Sequence, residues 1–259
     1  MFNSNQRSTS VLDTTDINCI LFIDIETVPI AKSYDELPEV FKELWLAKAK
    51  RYSNDGLTPE ESFFHKAGLH PEFGKIICIS AGYFRYSETT QKVHSDVKSF
   101  YGHNEAEILT NFKDMLEKHY YDCNKHFLCA HNGLEFDFPF LAKRMMINNI
   151  RLPKLLNTAG SKSWSTKWLL DTMELWKFGN YAEKVSLALL AACFDIKSPK
   201  DDISGADVAH VYWFDDSLER IRIYCEKDVR TLISLYTRMA NVTPAEDFQA
   251  ALEKSDIEL

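Results

Sequence analysis

Short apolar runs alternate along this chain with longer stretches in which apolar residues recur every three or four positions. Cys19 to Thr27 is β-branched and aromatic between polar flanks, the pattern of a buried strand. Val28-Pro29 ends it, and Leu37, Val40, Phe41, Leu44, Trp45 and Leu46 then fall at helical spacing between Glu36 and Arg51. Gly74 introduces a second strand over Lys75 to Phe84. Gln91 to Tyr101 predicts a third, and the polar turn between the two suggests an antiparallel hairpin edge. Glu105 to Tyr121 puts Ile108, Leu109, Phe112, Met115 and Leu116 on one face of a helix. His126 to Ala130 reads as a short buried strand, followed by a turn and a helix carrying Phe140, Leu141, Met145 and Met146. Helices are expected again over Val185 to Phe194 and Asp216 to Met239, the last with Asp216 as N-cap and Glu219 three residues on. Strands alternating with helices imply an α/β sheet, whose ligands gather at the strand C-terminal ends.

The first strand carries an anomaly. Asp24 and Glu26 interrupt its C-terminal end, and residues i and i+2 of a strand share a face, roughly 7 Å apart at about 3.3 Å per residue. Buried carboxylates need a compensating charge, and the immediate sequence offers no Lys or Arg, so a bound divalent metal answers the need. The plainer reading is a strand end at which both acids reach water. In the last predicted helix, Tyr224 and Asp228 stand four residues apart and share a face, about 6 Å along the axis. Arg230 and Lys227 fall elsewhere around that helix. Asp137 follows the fourth predicted strand. Acids from separate elements make a hard oxygen donor set suited to Mg²⁺ or Mn²⁺.

Composition narrows the picture. With 259 residues and 45% hydrophobic content the chain can build a full core. Six cysteines without CxxC spacing, most of them in apolar runs, read as reduced thiols and hence as a cytoplasmic protein. The first residues lack an apolar signal region and no segment is a sustained membrane-spanning run, so neither secretion nor membrane insertion is expected. The net charge of −8 argues against a generic polyanion-binding surface. Lys143 to Lys200 nevertheless holds ten Lys or Arg against four acids, interleaved with Trp164, Trp168, Trp176, Phe178 and Tyr181. That mixture is found on platforms for single-stranded nucleic acid, although lysines are usually a solvated face and aromatics usually core.

Three short motifs occur in series: Asp24-Ile25-Glu26 as D-x-E, Asn132 to Asp137 as N-x₃-F-D, and Tyr224 to Asp228 as Y-x₃-D. Together they resemble the DEDD exonucleases of the ribonuclease H-like fold. The tyrosine points to the DEDDy branch, since the histidine branch would have His where this chain has Ile223. The resemblance runs from about Ile17 to Met239 and is nearest to stand-alone bacterial exonucleases similar to the proofreading domain of family-B DNA polymerases. It implies a mixed sheet flanked by helices, in an exonuclease domain over residues 17–242. A mobile tail over 1–16, a C-terminal tail over 243–259 and a helical insertion over 34–73 complete the expected organisation.

The resemblance further implies hydrolysis of the 3′-terminal phosphodiester of a single strand, DNA in preference to RNA, with release of nucleoside monophosphates. Two Mg²⁺ or Mn²⁺ ions would share the work, one activating water and the other stabilising the leaving 3′ oxygen. Asp24 would bridge both ions, Glu26 and Asp228 would complete one site, and Asp137 would serve the other through water. Tyr224 would orient the attacking water, because a phenol is a poor base but a good hydrogen-bond partner. Candidate substrate contacts are Thr27 (backbone), Asn132, Phe136, Lys162, Trp164, Lys167 and Trp168. Each has a plainer reading: strand continuation for Thr27, turn formation with Gly133 for Asn132, core for Phe136. Asp171 reads as an N-cap with Glu174 as its capping-box partner rather than a fifth ligand, and His131 as a turn residue. Two rivals remain, an RNA-trimming enzyme of the ribonuclease D type and an inactive nucleic-acid-binding module of the same fold.

Overall fold

The computed structural model describes residues 10–87, 92–162, 165–180, 184–197 and 202–242. Along the chain, helix α1 (Val11–Thr14) precedes strand β1 (Ile20–Pro29), followed by α2 (Glu39–Ala49), α3 (Pro59–Lys66), β2 (Gly74–Ser87) and β3 (Lys92–Tyr101). Then come α4 (Glu105–His119), β4 (Phe127–Ala130), α5 (Asp137–Ile147), β5 (Leu169–Asp171), α6 (Thr172–Lys177), α7 (Leu187–Cys193), α8 (Val208–Trp213) and α9 (Leu218–Met239). The strands form one mixed sheet in the order β3-β2-β1-β4-β5. β1 pairs antiparallel with β2, which pairs antiparallel with β3, while β1–β4 and β4–β5 are parallel. The α/β mixed sheet flanked by helices is the architecture expected from the sequence.

Alternation along β1 divides the molecule into two layers. Leu21, Ile23 and Ile25 join the core that includes Ile108, Leu109 and Phe112 of α4 and Phe138, Leu141 and Met145 of α5. Ile20 and Phe22 face the other way and pack on Val229, Leu232, Ile233 and Tyr236 of α9. Gly82 of β2 permits that approach, because a Cβ there would lie 2.6 Å from side-chain atoms of both Val229 and Ile233. α2 and α3 bury a core of their own around Trp45, Phe63 and Phe73.

The expected helices differ from the observed ones mainly at their ends, and α8 lies where the sequence reading placed no helix. α9 begins at Leu218 after Ser217, without a side-chain cap. Asp216 is not the N-cap: at φ +49° it sits in the left-handed region, outside the extended geometry a capping residue adopts. The capping box belongs instead to α3, where Thr58 and Glu61 bond each other's backbone N–H. Residues 1–9 and 243–259 of the expected tails lie outside the described residues, and residues 10–16 include the α1 turn, whose Val11 and Leu12 pack against the α9 layer. All six cysteines are free thiols. Among the described residues no helix is long and apolar enough to cross a membrane.

Candidate active site

Asp24 and Glu26 continue the even-numbered face of β1, so they lie under α9 rather than in open water. Glu26 is buried and Asp24 half-buried, which disfavours the plain strand-end reading. Opposite them on β2 stand Ser80 and Cys78. The register shifts between Glu26 and Thr27, a local irregularity of the kind that re-aims side chains beside active sites. α9 supplies the rest of this half: the Tyr224 hydroxyl donates to the Asp228 carboxylate one turn away. Between them in sequence, Cys225 donates its thiol proton to Asp24 Oδ2, with Sγ 3.2 Å away. Carboxylate oxygens of Asp24 and Glu26 and the Cys225 sulfur all lie within 4.8 Å of one another.

The other half comes from the turn after β4. The β1–β4 pairing ends at Phe22, and further along β1 the Ile25 N–H donates to the Asp137 carboxylate. Asp137 also accepts its own N–H, at the first turn of α5 where a negative charge suits the helix dipole. Asp171, at the end of β5, clamps this turn. Its Oδ1 accepts the N–H groups of Asn132 and Met173 (both 2.9 Å), and its Oδ2 accepts the Leu134 N–H at 3.1 Å. It is therefore an N-cap of α6 as expected; Glu174, however, pairs with Lys177 instead of closing a capping box.

The clamp holds Asn132 at φ +61°, a conformation asparagine tolerates. Gly133 beside it is obligatory, since a Cβ would fall 2.4 Å from that of Ala130. The Asn132 Oδ1 is buried without a hydrogen-bond partner among the described residues. His131 straps the turn to the chain before α7: its Nε2 donates to the Val185 carbonyl (2.8 Å), leaving Nδ1 to accept from the Thr172 hydroxyl at 2.9 Å. Burial holds this imidazole below its usual pKa, so the neutral tautomer that makes both bonds is favoured.

The electrostatics are those of charges waiting for a counter-charge. Burial first, then the charges of Asp228 and Asp137, raise Asp24 well above the carboxylate range. Burial and Asp24 do the same to Glu26. Asp137 is pushed up to about 7, chiefly by burial and then by Asp171, against the pull of its two backbone donors. A divalent cation among these carboxylates would offset the burial and the repulsion and favour their ionised forms. The donors are hard carboxylate oxygens whose raised pKa values a cation would offset, so the residues present fit such ions. The Tyr224 phenol is driven above its ordinary range by burial and by Asp228, and burial keeps the Cys225 thiol protonated. Both act as hydrogen-bond donors.

The remaining sequence candidates are placed unevenly. The Thr27 hydroxyl donates to the Gly68 carbonyl (2.7 Å), tying the end of β1 to the chain before β2. Phe136 packs against the α4/α5 core with its ring 5.3 Å from Phe140. Trp168 also joins that core, and its Nε1 donates to the Leu155 carbonyl. Lys162 and Lys167 are exposed, whereas Trp164 and Tyr181 lie outside the described residues. The basic stretch is less free than its charge count implies: Arg144 is buried against Glu105, Lys177 pairs with Glu174, and Lys184 with Glu135. Sequence reasoning missed Cys225, the backbone bonds of Asp171 and the His131 strap. Of these, only Cys225 left a visible signal, lying between the tyrosine and the last acid of one motif.

A family model described as a predicted 3′-5′ exonuclease related to the exonuclease domain of PolB matches residues 67–255. No curated protein matches the chain. Among solved structures, the family B DNA polymerase from the hyperthermophilic archaeon Pyrobaculum calidifontis is similar in fold, with a TM-score of 0.52 at 15% identity. The match covers 85% of this chain and 24% of the polymerase, so the chain spans about a quarter of that structure's length.

Proposed function

The chain belongs to the family of predicted 3′-5′ exonucleases related to the exonuclease domain of PolB, and from that premise we propose that it trims single-stranded DNA from the 3′ end, using two divalent ions held by Asp24, Glu26, Asp137 and Asp228. The observation that carries this reading is the convergence of these acids from β1, the start of α5 and α9, with burial and mutual repulsion raising the pKa of Asp24 and Glu26, and burial and Asp171 raising that of Asp137. Mg²⁺ or Mn²⁺, when bound, would supply the Lewis acidity that activates water and stabilises the leaving oxygen.

The chain's own residues supply position and shape. Asp24 and Glu26 are fixed by the β1–β2 ladder, and Asp137 by its two backbone donors. The Tyr224 phenol stays protonated, so it orients rather than removes a proton, and its bond to Asp228 holds that carboxylate in place. Asn132 presents a buried acceptor to the terminal nucleotide, locked there by Asp171. DNA is chosen over RNA because the family is described by its relation to a DNA polymerase exonuclease domain.

The test is a denaturing gel of 5′-labelled single-stranded DNA and RNA of one sequence, with Mg²⁺, Mn²⁺ or chelator, and Asp24→Ala as control. A metal-dependent ladder on DNA that vanishes in the variant is expected. A ladder on RNA alone would move the substrate to RNA, and no ladder on either strand would overturn the exonuclease reading.

A further inference from the structure

One buried group in contact with the acids has no part in the reading above, which this inference takes as its premise. Cys225 lies on α9 directly after Tyr224 and three residues before Asp228, and it is fully buried. Its sulfur is 3.2 Å from Asp24 Oδ2 and 3.4 Å from the Asp24 carbonyl oxygen. The thiol therefore reaches across from α9 to β1. Other small polar side chains of the same helix behave differently: the hydroxyls of Thr231 and Ser234 turn back to the carbonyls of Lys227 and Arg230, each at 2.9 Å.

We propose that Cys225 is a positioning residue for Asp24: its thiol donates to Oδ2 and fixes the rotation of the carboxylate, leaving the other oxygen aimed at the ions. The physical need is plain. Carboxylate rotation about the last side-chain bond is broad and soft, so a ligand at the end of a strand requires a second contact to hold one orientation. The same contact spans β1 and α9 at the turn that carries Tyr224 and Asp228, so it also sets the spacing between the first and last acids of the site. Thiol chemistry suits the place. On one side Cys225 packs among Val28, Ile77 and Ile221 and touches the Cys78 sulfur, and on the other its thiol reaches Asp24 Oδ2.

The test compares Cys225→Ala and Cys225→Ser by calorimetric Mn²⁺ titration, single-turnover cleavage of a pre-bound DNA end, and metal-free melting. Loss of an outer contact to a metal ligand typically weakens metal binding or activity by about 10- to 100-fold. The weak thiol donor places the alanine variant near the low end, and serine, which keeps a proton to donate, should bind Mn²⁺ more tightly than alanine. A packing residue would show the reverse order in melting and no change in Mn²⁺ affinity, which would overturn the proposal. Should the alanine protein not fold, the wild type carries the test: Mn²⁺ addition should shift an S–H infrared band that is missing from Cys225→Ser, and an unshifted band overturns it. Absence of cleavage by the wild type would instead overturn the exonuclease reading.

Discussion

Two clusters of buried charge lie in this protein, and they are built on opposite principles. In one, Glu105 at the start of α4 receives the Arg144 guanidinium through two bonds, Nε to Oε1 at 2.8 Å and Nη2 to Oε2 at 2.5 Å. Glu105 also accepts the Ile76 N–H and the Asn148 amide, and Arg144 Nη1 donates to the Pro71 carbonyl. That cluster is closed, with each charge answered inside the protein. In the other, Asp24, Glu26 and Asp137 face one another and Asp228, and the largest influences on Asp24 and Glu26 are burial and like charge. Burial alone therefore does not single out a candidate site; burial without an internal counter-charge does.

The widest separation between the clusters should come from Asp24→Asn. Turnover should fall below detection, because an amide is a poor substitute for a carboxylate ligand, while metal-free melting stays unchanged or rises slightly as repulsion is relieved. Mn²⁺ should raise the melting temperature of the variant less than that of the wild type. Robust activity in a clean preparation would erase the distinction. Arg144→Ala should do the converse, costing about 3–5 kcal/mol in denaturant unfolding because Glu105 is left buried and unpaired. Removing both partners together should recover part of that loss.

Tyr224→Phe is a finer probe, since the ring and its packing remain. Single-turnover cleavage should fall about 10²-fold, the low end for loss of a proton-handling group, with weaker Mn²⁺ binding because Asp228 loses its donor. A wild-type rate and affinity would reduce Tyr224 to packing. The smallest effect is on pH dependence. In the chelator-treated protein the raised carboxyls hold protons that the unfolded chain releases, so stability should fall as pH rises from the ordinary carboxylate range near 4 towards about 7, where Asp137 titrates. Divalent ions should counter that fall more strongly at the alkaline end. Melting temperatures that climb with pH across this window would contradict the open-cluster description.

Two pairs of the open cluster were legible in the sequence because their elements carry local periodicities, and Asp137 entered through its place after a predicted strand and the resemblance to the exonuclease motifs. Two residues along a strand and four along a helix each specify a shared face, and the antiparallel pairing of β2 and β3 followed from adjacent strands and a polar turn. The closed cluster was not legible. Arg144 counted as one of ten basic residues, yet its partner Glu105 stands far away in the chain, and no spacing rule announces such a pair. Trp168 looked like a stacking ring for the same reason: its partner, the Leu155 carbonyl, is a backbone atom set by tertiary packing. β5 is only three residues long, too short for a period, and it shows itself only through its pairing with β4.

Pro29 at the end of β1 and Gly74 at the start of β2 are register partners, and the nearby Thr27–Gly68 bond closes the same neck. Residues 30–73, with their separate core around Trp45, are in topological terms the tip of a two-stranded hairpin grown into a small helical body. Chain that leaves and returns at one point exerts little leverage on what lies below the neck, and lengthening such a loop costs only about 0.6 kcal/mol per doubling. The helical body can therefore change most readily on surfaces away from its ties to the rest, namely the Thr27–Gly68 bond, the Arg144–Pro71 bond and the Phe64–Phe214 ring contact. The fold sets a part with its own core beside the strand that carries the acids, and joins the two at the neck and at those few contacts.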